Sequence, residues 1–72
     1  MKRLFYKTAK ENGAVISEYK TERSPEGCQM YFIKGTNKKG FEFDFWDSYW
    51  VGCVFELKIE LVNLFKEQCL KD

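Results

Sequence analysis

The chain contains no histidine. That removes the side chain that most often moves protons near neutral pH. It also removes the commonest nitrogen ligand for a metal. Cysteine is scarce: Cys28, Cys53 and Cys69 are widely spaced and form no Cys-x-x-Cys pair. They fall short of the four Cys or His ligands that a structural zinc site usually takes, so no metal and no other cofactor is expected. Three scattered thiols read as reduced side chains, at least two of them in the core, which points to a cytoplasmic protein. Long apolar runs are also missing. The longest uncharged apolar run, Tyr49 to Phe55, is far below the roughly 18 residues that cross a bilayer, so no membrane association is expected. The basic start Met1-Lys2-Arg3 is not followed by an apolar run of about 7–15 residues, which argues against a signal peptide. The five glycines stand singly at turn positions and build no phosphate-cradling loop. A chain of 72 residues also has little room to enclose a substrate. Catalysis is not expected.

What the chain has instead is rings. Thirteen residues are aromatic, and Phe41, Phe43, Phe45, Trp46, Tyr49 and Trp50 fall within ten positions, with Glu42, Asp44 and Asp47 threaded between them. Full burial of one such ring contributes roughly 1.5–3 kcal/mol. A single domain spanning residues 1–72 buries only about 60% of the surface its unfolded chain exposes, so a dense aromatic core is what lets it fold. The net charge of +1 hides an asymmetry. Residues 1–40 hold nine Lys/Arg and four acids, whereas residues 41–72 hold three Lys and seven acids. Such a split concerns partners and steering rather than fold.

Turn signals and alternation divide the chain. Leu4–Thr8 reads as a short strand ended by Asn12-Gly13, a hairpin turn signal. Ala14–Arg23 alternates and is rich in β-formers. Ser24-Pro25-Glu26-Gly27 is a turn, Gln29–Lys34 a third strand, and Gly35–Gly40 a hairpin loop. Phe41–Trp46 is a fourth strand of strict period two. From Phe55 to Leu61 the pattern again alternates, which fits a fifth strand. Yet Trp50, Val51, Val54, Leu57, Leu61, Val62, Leu64, Phe65 and Cys69 share one face at helical period. One helix over roughly Ser48–Leu70, capped by Asp47 or Ser48, is preferred, although Gly52 disfavours it by about 1 kcal/mol. The expected architecture is α+β: a four-stranded antiparallel meander sheet with one C-terminal amphipathic helix packed on one face.

Lys39-Gly40-Phe41-Glu42-Phe43-Asp44-Phe45-Trp46 resembles the RNP1 strand of RNA-recognition motifs and cold-shock domains. There a basic residue and a glycine precede alternating rings that stack on bases. Lys39, Gly40, Phe41, Phe43 and Trp46 match. Glu42 replaces a small residue, and Asp44 replaces an aliphatic one. Period two reads the same strand differently, with Phe41, Phe43 and Phe45 in the core and Glu42, Asp44 and Trp46 facing out.

Two functions are expected from this. The preferred one is a non-catalytic protein–protein interaction module, of the size of a phage or mobile-element inhibitor or accessory protein. Trp46, Tyr49 and Asp47 would anchor a larger protein with a basic surface, and Glu42, Asp44, Glu56 and Glu60 would steer toward it. The alternative is a small nucleic-acid-binding protein that uses Lys34, Lys38 and Lys39 with the sheet aromatics. A homo-oligomer, paired through Phe55 and Ile59, is a third arrangement the sequence permits.

Overall fold

A computed structural model shows the order α1 (Lys2–Glu11), β1 (Val15–Arg23), β2 (Cys28–Thr36), β3 (Glu42–Trp50) and α2 (Phe55–Leu70). The structure describes residues 1–50 and 55–70, and for residues 55–57 the backbone alone. The α+β class and the antiparallel meander hold. The four-stranded sheet with a single helix does not, because the sheet has three strands in the order β1-β2-β3 and a helix stands at each end of the chain.

The first correction lies at the N-terminus. Leu4-Phe5-Tyr6 are consecutive β-formers, but the wider pattern is helical. Met1, Phe5, Thr8, Ala9 and Asn12 recur at three- and four-residue spacing. Phe5 and Ala9 are buried, while Lys2, Arg3, Lys7, Lys10 and Glu11 are exposed. Asn12-Gly13 then ends a helix instead of turning a hairpin. Gly13 takes φ +73°. The Ala14 N–H donates to the Ala9 carbonyl at 2.8 Å and the Gly13 N–H to the Lys10 carbonyl at 3.3 Å. This is a Schellman cap, with Gly13 at the left-handed position.

The second correction concerns β3. It runs on through Ser48, Tyr49 and Trp50, each paired with β2, so the helix begins at Phe55 and not at Ser48. The alternating stretch from Phe55 is therefore helix and not a fifth strand, while Gly52–Val54 lie outside the described residues. Phe41 is also corrected. It precedes the first residue of β3 and is 61% exposed, so it is not a core ring.

The two hairpin turns share one construction. Gly27 donates to the Ser24 carbonyl and Gly40 to the Asn37 carbonyl, both at 3.0 Å, with each glycine at positive φ. Buried Asn37 also accepts the backbone N–H groups of Lys39 and Phe41 through Oδ1, which holds the second turn rigid.

Both helices cover the same sheet face. The Phe5 ring of α1 lies against Tyr19, Tyr31 and Phe45 of the sheet and edge-on to Phe65 of α2 at 5.1 Å. Phe65 in turn meets Phe43 and Phe45 edge-on. Ile33, Leu61 and Cys69 complete the fully buried centre. No helix among the described residues is long and apolar enough to cross a membrane.

Candidate functional site

Because both helices lie on one side, no element among the described residues covers the other side of the sheet. Strand register assembles it row by row. Glu18, Lys34 and Asp44 stand side by side, followed by Lys20, Phe32 and Trp46, then Glu22, Met30 and Ser48. The middle row carries the aromatic feature. Trp46 is 63% exposed and stacks on Phe32, with ring centroids 6.2 Å apart and planes 19° from parallel. Around the stack, Glu18, Glu22, Glu42 and Asp44 outnumber Lys20 and Lys34, so the face is net acidic. Lys20 pairs with Glu22 at 3.4 Å and Lys34 with Glu18 at 3.9 Å. These exposed pairs contribute about 0–1 kcal/mol each. Among the described residues, Glu42 and Asp44 enter no ion pair.

The expected protein-binding set is thereby divided. Trp46, Glu42 and Asp44 share the open face. Tyr49 and Asp47 belong to the opposite, helix-covered side, because β3 stays extended and successive residues alternate. Tyr49 stacks on Tyr31 with planes 21° apart, and the two hydroxyls lie 3.2 Å from each other. The Lys58 ammonium stands 5.7 Å from the Tyr49 ring. The Asp47 carboxylate accepts the Ser48 N–H at 2.7 Å. Glu60 joins this second group across a groove between β3 and α2, lined also by Trp50, Leu61 and Leu64. The side chain of Glu56 lies outside the described residues, as does that of Phe55 in the proposed homo-oligomer pair; Ile59 is 47% exposed.

The alternative set is divided as well. Lys34 lies beside the aromatic stack, but the loop carrying Lys38 and Lys39 turns toward the helix ends. The Lys38 N–H points to the Cys69 carbonyl at 3.4 Å, and a side chain built on Gly13 would come within 3.2 Å of the Lys38 Cβ. The chain's other basic cluster, Lys2, Arg3, Lys7 and Lys10, is exposed on α1, across the core from the open face. Lys34 therefore shares a surface with the stacked rings, whereas Lys38 and Lys39 are carried away from it.

Phe32 is the site residue that sequence reading missed. It alternates with Tyr31 and Ile33, which face in, so period two already directs it outward.

The titrating groups of the core stay neutral. Burial, reinforced by the hydrogen bond to Tyr49, pushes the Tyr31 hydroxyl well above the ordinary tyrosine range. Burial and the neighbouring Tyr6 and Tyr49 raise Tyr19 as well. Burial also raises the Cys69 thiol, against a smaller opposing effect of a backbone hydrogen bond. A buried thiol of raised pKa is a poor nucleophile. Among the described residues, no group of three or more Cys, Asp or Glu is placed to hold a metal ion.

Compared with protein-family models, curated proteins and solved structures, the chain matches none.

Proposed function

We propose that the protein is a non-catalytic binding module that docks on a larger protein through the uncovered sheet face. One observation carries this reading: Trp46, on a face that neither helix covers, leaves 63% of its surface in water. A large exposed ring is not what folding selects, and tryptophan is the residue most enriched at protein-binding hot spots. The stacked Phe32 holds the indole in place, which lowers the entropy lost when a partner closes over it. Glu18, Glu22, Glu42 and Asp44 around the rings favour a partner surface rich in Lys or Arg. A domain of this size with one docking face suits an inhibitor or accessory role. Its free thiols, Cys28 and Cys69, are at home in a reducing cytoplasm.

The test is affinity capture with four baits: the wild-type protein, Trp46→Ala, the double variant Glu42→Lys/Asp44→Lys, and the double variant Lys38→Ala/Lys39→Ala. One protein should be retained by the wild type and by the loop-lysine variant, and lost with the other two while circular dichroism shows them folded. Unchanged capture by folded Trp46→Ala sinks the reading. Salt-sensitive retention of nucleic acid that the loop-lysine variant loses would transfer the function to the nucleic-acid alternative.

A further inference from the structure

We propose that the free edge of β3 takes up an extended, basic segment of the partner as a fourth strand. This rests on the binding reading above and adds the way in which the partner is held. β3 ends the sheet. The Asn37 N–H donates to the Phe41 carbonyl at 2.8 Å, which marks that pair as hydrogen-bonded. Antiparallel pairs alternate between bonded and non-bonded. Counting along the register, Phe43, Phe45, Asp47 and Tyr49 bond to β2, and the backbone groups of Glu42, Asp44, Trp46 and Ser48 point away from it. The Ser48 N–H is taken up by the Asp47 carboxylate. Among the described residues, the groups of Glu42, Asp44 and Trp46 have no partner and form an open row.

Sheet edges are ordinarily blunted with lysine, proline or a bulge. The opposite edge is blunted in this way: β1 has a register shift between Ile16 and Glu18 and carries Lys20 and Arg23. β3 has neither lysine, proline nor bulge, and its one capped edge donor among the described residues is the Ser48 N–H. It pairs in unbroken register over nine residues and contains no Lys, Arg or Pro.

Charge selects the occupant. On the open-face side of the edge stand Glu42 and Asp44. On the helix side, Asp47 and Glu60 flank a groove floored by Tyr49, Leu61 and Leu64, with Leu64 45% exposed. Lys34 stands beside Asp44 but is paired with Glu18, and on the helix side the Lys58 ammonium lies over the Tyr49 ring. A second copy would bring its own Glu42, Asp44 and Asp47 against these acids, which like-charge repulsion disfavours. A strand with Lys or Arg at alternate positions matches the acids, and its intervening apolar side chains enter the groove. Backbone pairing then supplies affinity while the side-chain pockets supply specificity.

The full chain, labelled with nitrogen-15, is titrated with the peptide acetyl-Lys-Val-Lys-Val-Lys-Val-Lys-amide while amide hydrogen exchange is followed by NMR. Exchange at Glu42, Asp44 and Trp46 should slow by about tenfold or more at saturation, as expected when open edge amides gain partners. A peptide with Glu in place of Lys should have no effect, and neither should one N-methylated at every residue, which leaves no N–H on either of its edges. Asp44→Pro removes an edge N–H without touching a bond to β2, so it should abolish the protection. Equal binding of the N-methylated peptide, with Trp46 perturbed, refutes strand addition but leaves the docking face standing. Absence of any response to the Lys-Val peptide also refutes strand addition, and the capture test then judges the docking face by itself. Edge amides already protected without peptide, in a manner lost on dilution, would show a second copy on the edge and overturn the proposal.

Discussion

Phe45 and Trp46 are neighbours in sequence, but the fold places them on opposite sides of one strand, and truncating each to alanine should have very different consequences. Phe45 is 6% exposed and meets the rings of Phe5 and Phe65 at 6.3 and 5.5 Å. Emptying such a site costs about 3–5 kcal/mol, the lost transfer energy plus that of the cavity left behind. Trp46 loses a single described ring contact, the stack on Phe32. An aromatic pair of this kind is worth about 0.5–1.5 kcal/mol beyond burial, and the burial lost is small because most of the indole is already in water. At about 0.05–0.15 kcal/mol per residue, a 72-residue chain holds roughly 4–11 kcal/mol in total. Phe45→Ala removes about a quarter of that or more; Trp46→Ala leaves most of it. Urea unfolding followed by far-UV circular dichroism measures the difference without relying on the indole that is removed. With a slope near 1 kcal/mol per M for so small a domain, the Trp46→Ala midpoint should fall by about 1 M or a little more. That of Phe45→Ala should fall by about 3 M, or the variant should not fold. Equal shifts, or a larger one for Trp46→Ala, would refute the assignment of faces, and with it the claim that Trp46 is free for a partner.

Gly35→Ala should also destabilise, although Gly35 adopts no positive φ. A Cβ there would collide with the Val15 carbonyl oxygen and would lie 2.9 Å from the Phe43 ring and 3.1 Å from the Ile16 Cα. Two of those three neighbours are backbone at the β1 register shift and yield little, so a loss of about 1–3 kcal/mol is expected, which thermal melting would record as a fall of several degrees. A variant as stable as wild type would show that the strands do not approach so closely. At high pH, Tyr31 and Tyr19 should impose a stability limit. Their folded pKa values lie above the unfolded value, so their contribution is complete below about pH 10 and is lost as pH rises through the folded values. Chemical unfolding between pH 8 and 12 should show a decline above about pH 10 that Tyr31→Phe makes shallower; an unchanged slope would count against Tyr31 as its source.

How far these features were legible depends on whether a signal was local or needed a partner strand. Phe43 and Phe45 could be assigned to the core because alternation within one strand is a local property. The Ser24–Gly27 turn was readable for the same reason; the loop read as Gly35–Gly40 is shorter, because Gly35 and Thr36 belong to β2. The N-terminal helix was not. Leu4-Phe5-Tyr6 crowd three β-formers into positions where the helical period shows only over the longer span from Met1 to Asn12. Asn12-Gly13 serves a hairpin and a helix cap equally well until that period is known. The same error at the other end misplaced Tyr49 and Asp47. A helix starting at Ser48 would have brought Tyr49 near Trp46, whereas an extended β3 sends it to the far side. The outward face of Phe32 could have been read from its alternation with Tyr31 and Ile33, whereas its neighbours needed the closing pairs of the two turns. Five steps outward from the closing pair Asn37–Phe41 set Phe32 opposite Trp46, and four steps from Ser24–Cys28 set it opposite Lys20. The asymmetry between the two sheet edges could not have been read in this way. Nothing in Val15-Ile16-Ser17-Glu18 announces a register shift; it falls where β1 passes close to Gly35. The open edge of β3 is therefore a property of three strands together, and only their assembly leaves one edge kinked and lysine-bearing and the other straight and acidic.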